Sequence, residues 1–433
     1  MTCPSSVGAD RSSKAGRRPR FLAPLARRDF ALLWVGTGLS LAGDGIYAVA
    51  LAWQVYELSG AASALAAVGL AWTLPQLAFL PWAGIVADRH DRRRLLIAAD
   101  LVRAAAIGTL GLLSVLGALE LWMVAALVVA YGVAEAFAAP AFIALVPQVV
   151  AREELVAANA LEQSVRPLAL RLAGPAAGGL LVALVGAGGA LLVDAATFAA
   201  CAVAIGLMRV ARVPAASAAR VWRAELAEGV RYVRERAWLW STLAAAAIGL
   251  LGFYGPVTVL LPWVVKHELG AGAGALGLIL AAGGAGALAA ALAVGQLGLP
   301  GPPLRTVYVS WAVGALAIAG WGLAGSVGEA VAVSVVVHGA MTVGAIAWGA
   351  LLQRAVPERL LGRVSSLDWL ASTALIPVSL ALTAPAAALL GPRDVLVGAG
   401  LASGSALALL GLAAAVRDRR LVRANWRAMI NRS

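Results

Sequence analysis

The sequence divides into twelve stretches of almost unbroken apolar residues, at about 30–56, 64–86, 95–117, 121–146, 160–185, 188–208, 240–264, 274–297, 305–324, 329–352, 367–390 and 394–416. Each is long enough for an α-helix to cross the hydrocarbon core of a bilayer, which takes about 20 residues. A backbone surrounded by lipid must satisfy its own hydrogen bonds, and runs this long that do not alternate exclude barrel strands. The sequence therefore predicts an all-α integral membrane protein with twelve transmembrane helices. Its balance, 61% hydrophobic and 13% charged residues, excludes both an ordinary soluble domain and a disordered chain.

The basic residues set the expected orientation. With the N-terminus inside, 29 of the 34 lysines and arginines fall in cytosolic segments, Lys266 and Arg393 fall outside, and Arg103, Arg166 and Arg171 lie within spans. That asymmetry is the positive-inside pattern of a cell-membrane protein and places both termini in the cytosol. It also accounts for the net charge of +12 without nucleic-acid binding, which calls for a compact basic domain. The first apolar run is too long for a signal-peptide core and reads as a retained span. Cys3 in the polar N-terminal stretch and Cys201 within an apolar run do not form a disulfide framework.

The expected organisation is a basic tail at 1–29, a six-helix bundle at 30–209, a cytosolic linker at 210–239, a second six-helix bundle at 240–416 and a basic tail at 417–433. The halves read as parallel pseudo-repeats. Leu172 to Ala177 aligns with Leu382 to Ala387, and Val146-Pro147 with Val356-Pro357, at a common offset of 210 residues. Six spans return the chain to the same side of the membrane, so such repeats relate by an axis along the membrane normal. In the linker, Trp222, Leu226, Val230 and Val233 recur at helical spacing, which predicts an amphipathic helix at the inner membrane surface.

Between the second and third runs stands Gly84-Ile-Val-Ala-Asp88-Arg89-His-Asp91-Arg92-Arg93-Arg94. This loop resembles the Gly-x-x-x-Asp-Arg-x-Gly-Arg-Arg signature of the major facilitator superfamily. It matches at Gly84, Asp88, Arg89, Arg92 and Arg93 and departs at Asp91, where glycine is usual, so a turn there is expected to use left-handed backbone at Asp91. The corresponding loop of the second half, around Gly298 to Arg305, has no acidic residue. In the fifth run, Gly174-Pro175-Ala-Ala-Gly178-Gly179 is similar to an element marking the exporter branches, with Leu170 at the position of a further glycine. With Asn159-Ala-Leu, Glu228-Gly-Val-Arg-Tyr-Val and Val356 to Val364, the order of motifs over about 30–365 resembles the branch containing enterobactin exporters and macrolide-efflux pumps.

The residues carry a physical reading of their own. One carboxylate with several arginines on a short loop can form a two-state latch, Asp88 facing the positive end of a helix, or can serve only to fix topology. Gly-Pro with small neighbours lets two helices approach closely and bends one, for packing or for gating.

Ionisable groups within spans are costly and point to function. Those singled out as candidates are Asp44, Glu135, Arg166, Arg171, Asp194 and His338. At about 1.5 Å per residue, Glu135 lies about 9 Å and Arg166 about 8 Å from the inner boundary, and Arg171 about 15 Å. Glu135 is therefore expected to pair with Arg166 or Arg171, either statically or with release on protonation. Asp44 and Asp194 lie about 9 Å from the outer boundary by the same measure, level with an outward vestibule. His338 reads as a proton relay or as a hydrogen-bonded histidine. Trp34, Trp53, Trp72, Trp348 and Trp369 line a cavity for a bulky solute or anchor span ends.

The leading expectation is secondary active export: two halves rocking about a central cavity, driven by the proton gradient and expelling an amphipathic drug, macrolide or siderophore. No phosphate-binding loop is present and no ATP coupling is expected. Nor is an enzyme: three histidines have neither metal-ligand nor nucleophile–base spacing. Nutrient import and a non-transporting membrane sensor are the alternatives. No cofactor, metal or nucleic acid is implied. The expected partners are a small-molecule substrate and the lipid bilayer, for a monomer.

Overall fold

The structure is a computed structural model, and it describes residues 20–151, 154, 158, 161–162, 165–209 and 222–417. The two tails fall almost entirely outside these residues. Helices α1 (Arg28–Ser59), α2 (Ala62–Arg89), α3 (Arg92–Val115) and α4 (Leu121–Val149) follow one another through short breaks. The next helical stretch, Pro167–Gly206, has 40 residues, about 60 Å at 1.5 Å per residue and twice the thickness of a hydrocarbon core.

That stretch is two spans. Gly186 has φ 77° and ψ 169°, a conformation open to glycine and costly for residues with a side chain. The packing shows the reversal. Gly45 abuts Gly174 and Gly178 abuts Ile46, so residues 167–185 (α5) run parallel to α1. Gly36 abuts Cys201 and Ala204 while Gly43 abuts Asp194, so 187–206 (α6) run antiparallel to it.

The second half repeats the plan. After the linker helix α7 (Trp222–Arg234) come α8 (Ala237–Glu268), α9 (Ala273–Leu297), α10 (Pro303–Leu323), α11 (Val327–Ala355), α12 (Glu358–Ala374 continuing as Ile376–Leu390) and α13 (Pro392–Arg417). Eleven stretches among the described residues are long and apolar enough to cross a membrane, and the fold at Gly186 makes them twelve spans. The repeat is visible in packing. Gly45 of α1 sits on α5 at Leu170 and Gly174, and Gly255, 210 residues on, sits on α12 at Ser379 and Thr383.

The two six-helix bundles share a core at one end only. A cluster holding Tyr56, Val128 and Phe198 of the first half continues through Val259, Leu276 and Leu380 of the second. At the end carrying the basic loops the cores separate. One, with Phe30, Leu96, Leu145 and Ile205, belongs to the first half, and the other, with Leu239, Val307, Trp348 and Leu360, belongs to the second. The molecule is closed opposite the basic loops and parted toward them.

The closure is specific. The Tyr56 hydroxyl donates to the Val259 carbonyl, 2.5 Å away, and Lys266 Nζ stands 4.6 Å from the centre of the Trp53 ring. A methyl group added at Gly179 would come within 2.9 Å of Gly277 Cα, so α5 and α9 touch backbone to backbone as small residues permit.

Two expectations need correction. The apolar face of α7 was read to include Val230, which is exposed, whereas Tyr232 and Val233 are buried and the Tyr232 hydroxyl donates to Ala355 O at 3.2 Å. This end of α7 anchors on α11 because Tyr232 finds an acceptor at that helix end; the side chains of 222–227 lie outside the described residues. Asp91 is not left-handed. At φ −63° and ψ 110° its carboxylate accepts from the amides of Arg93 (3.0 Å) and Arg94 (3.3 Å), capping α3, a role that aspartate fills as well as any residue.

Candidate functional site

The intramembrane charges of the first half meet around α4. On α1, Asp44 Oδ1 accepts from the Tyr131 hydroxyl at 2.7 Å. One helical turn along α4, Glu135 Oε2 accepts from the indole Nε1 of Trp72 on α2 at 2.8 Å. The Tyr131 ring stacks on Tyr47 with centroids 5.1 Å apart and meets Trp72 and Phe198 edge-on. Aromatic packing thus fixes the donors that hold two carboxylates on neighbouring helices.

Behind this layer α3 contributes an ion pair that the sequence reading missed. Asp100 and Arg103 are 1% and 8% exposed and bonded to each other, with the guanidinium 4.4 Å from the centre of the Phe198 ring. Their i, i+3 spacing on a helix was the available signal. Asp194 on α6 is fully buried, beneath Gly43, where any side chain would collide with it. Thr197 donates to its main-chain oxygen at 2.7 Å and lies 3.4 Å from Oδ1. Asp194 Oδ2 and Arg103 Nε have no hydrogen-bond partner among the described residues.

The cluster therefore holds four carboxyl groups, Asp44, Asp100, Glu135 and Asp194, against one buried guanidinium. Buried charge without a matching partner is costly, and here buried acid outnumbers buried base. The corresponding positions of the second half carry none of these charged groups. At the offset of 210, Tyr254, Ser310, Val313, Ala345 and Gly404 stand where the first half has Asp44, Asp100, Arg103, Glu135 and Asp194.

Asp194 and Glu135 are placed differently from expectation, whereas His338 is hydrogen-bonded, as one of its two readings had it. Asp194 faces no vestibule, because α1 and α3 both pack against α6 and cover it. Glu135 is bonded to Trp72, and among the described residues no ion pair joins it to Arg166 or Arg171; depth along a span sets level but not facing. Arg166, one residue ahead of the π-wound turn Pro167–Ala173, lies within electrostatic reach of Asp44, Glu135 and Glu162. Both arginines are exposed. His338 Nδ1 lies 3.0 Å from Ser334 O on its own helix, its ring edge-on to Phe253 and Trp321, each at 6.2 Å.

The Gly-Pro element serves two contacts. Gly174 and Gly178 pack on α1 within the first half, and Pro175 and Gly179 lie against Gly277 across the closed end. In the signature loop, the side chains of Asp88 and Arg89, and the surroundings of Gly84, lie outside what is described. Arg93 donates from Nε to Ile205 O at 2.9 Å and from Nη2 to Gly206 O, so it satisfies carbonyls at the C-terminal end of α6. Arg94 makes a 3.7 Å ion pair with Asp91.

Twelve spans in two repeats, closed at one end around small residues and carrying buried charge in one half, define a membrane transporter of the major facilitator type, not an enzyme. The chain belongs to the transmembrane secretion effector family, whose sequence model matches residues 20–373. Macrolide efflux protein A of Streptococcus pyogenes is 24% identical over 237 residues, 54% of this chain and 58% of that protein, so the match spans a little over half the length of this relative. Among solved structures, nucleoside transporter NupG aligns with a TM-score of 0.65 at 11% identity, over 89% of this chain and 98% of that one. A bacterial homologue of the iron transporter ferroportin in an inward-facing state aligns at 0.65 and 17% identity, over 89% and 98%. These structural likenesses carry the fold alone.

Proposed function

We propose that this protein is a proton-coupled exporter of an amphipathic small molecule, working by alternating access in the cell membrane with both termini cytosolic. The observation that carries the reading is the acidic cluster on α1, α3, α4 and α6, confined to one half and adjacent to the helix that forms the closed end. Proton occupancy of Asp44, Glu135 and Asp194 changes the charge that α1, α4 and α6 hold between them. Because Gly45, Gly174 and Gly178 lock α1 to α5, a shift of α1 reaches the α5–α9 contact at Gly179 and Gly277.

The basic loops support an assignment of the two sides. With them cytosolic, the parted end faces the cytosol and receives substrate, and the closed end opens outward. The macrolide-efflux relative supports export, and the Gly-Pro element supports it through its place at the closure. The protein needs no cofactor, since the proton gradient supplies the driving force, and it acts as a monomer in the bilayer.

Everted membrane vesicles energised by respiration test this. Accumulation of a fluorescent amphipathic dye, abolished by a protonophore and lost in Glu135→Gln, is the expected result. Accumulation that ignores the protonophore overturns proton coupling, and uptake only into right-side-out vesicles overturns export.

A further inference from the structure

Arg166, just ahead of α5, and Arg171 on it stand five residues apart, both exposed, and among the described residues neither has an ion pair or side-chain hydrogen bond. A guanidinium turned toward hydrocarbon at this depth costs several kcal/mol. Exposure to the opening between the halves, on the side of the basic loops, avoids that cost. Of the nearby carboxylates, Glu135 is held by Trp72, Asp44 by Tyr131 and Asp100 by Arg103, while Glu162, one turn before Arg166, offsets the charge of that arginine alone. Asp194 is sealed within the bundle.

The backbone holds Arg171 against the second half. Pro175 has no N–H to offer the Arg171 carbonyl, the Gly174 amide reaches back five residues to Ala169 O, and the Arg171 carbonyl lies on Gly284 of α9. π-type turns of this kind gather at functional sites. Arg171 is within electrostatic reach of Arg166 just ahead of its own helix and of His338 on α11, and Phe253 and Trp321 flank His338. Two guanidiniums of the first half thus stand beside an imidazole and aromatic rings of the second.

We infer that Arg166 and Arg171 form the recognition site for an anionic group on the transported molecule, so that the substrate is an amphipathic organic anion bearing a carboxylate, phosphate or similar oxyanion. Two guanidiniums offer paired N–H donors that match an oxyanion and repel a cation. The inference deepens the exporter reading and rests on it for direction of transport, but not for binding.

Equilibrium binding to the purified full-length protein in lipid nanodiscs, read by fluorescence polarisation without any proton gradient, tests it. The probes are carboxyfluorescein, an aromatic anion, and ethidium, an aromatic cation. The parent is expected to bind the anion at least ~10-fold more tightly than the cation, with affinity falling as salt rises. Arg166→Gln with Arg171→Gln should weaken anion binding ~10-fold or more, and Arg166→Lys with Arg171→Lys should do so by less, because charge remains without the fork. Thermal midpoints and gel-filtration profiles report that each variant is folded. Should the Gln pair fail to fold, the salt response and probe preference of the parent decide alone. Equal or tighter ethidium binding, anion affinity insensitive to salt or to the Gln pair, or no anion binding below about 1 mM overturns the proposal. Anion binding without proton-driven vesicle uptake counts against the exporter reading and leaves this site standing.

Discussion

Trp72 on α2 donates its indole N–H to the Glu135 carboxylate on α4 across 2.8 Å, and this one bond orients the acid that the proposed cycle uses. Glu135→Gln keeps an acceptor oxygen for the indole and removes the titratable proton. The expected outcome is a fold-stable protein whose proton-driven vesicle uptake falls about tenfold or more, the range of a lost acid–base group, while downhill exchange of substrate continues. Trp72→Phe instead leaves the carboxylate without its donor and should lower stability by about 1.5–3 kcal/mol, measured as thermal midpoint in detergent.

The Asp100–Arg103 pair behaves differently. Arg103→Ala leaves a buried acid unpaired and should cost about 3–5 kcal/mol. The double variant Asp100→Asn with Arg103→Gln should cost less than the sum of the two single changes. A double-mutant cycle by thermal unfolding checks this, and strict additivity would remove the pair from the account.

Arg93 binds two carbonyls at the end of α6. Arg93→Ala should lower the thermal midpoint in proportion to a loss of about 1–3 kcal/mol, and Arg93→Lys, which keeps charge but not the fork, should recover part of it. If the latch reading of this loop is right, the alanine variant also slows transport at temperatures where it remains folded.

The spans were legible because hydrocarbon imposes one rule on every residue in turn: twenty apolar residues and an internal hydrogen-bond ladder. The Gly186 reversal was legible for the same reason, since Pro167–Gly206 is too long to be one span. The site was legible only in part. Asp44, Glu135 and Asp194 stand out singly because each is anomalous in lipid, but Tyr131, Trp72 and Thr197 are ordinary residues whose roles arise from contacts between helices. Local spacing showed that Glu135 and Arg166 share a level. It could not show that Trp72, 63 positions earlier, takes the carboxylate first.

The closed end offers the sharpest kinetic test. Gly69 on α2 faces Leu380 on α12, a methyl group added at Gly69 lying 3.1 Å from the Leu380 side chain. Cysteines at both positions, in a background with Cys3→Ser and Cys201→Ala, place two thiols across the boundary between the halves. If the halves separate here during each cycle, oxidation to a disulfide or bridging by a short bifunctional maleimide should abolish uptake, and reduction of the disulfide should restore it. Neither single cysteine variant should respond. Gly179→Leu should act from the other side, because the new side chain meets the Gly277 backbone and opposes closure. That variant should label more readily than the parent with a membrane-impermeant thiol reagent at a cysteine replacing Trp53. Uptake that survives cross-linking at 69 and 380 would mean that this end stays shut throughout transport, and the rocking of the two halves would have to be abandoned.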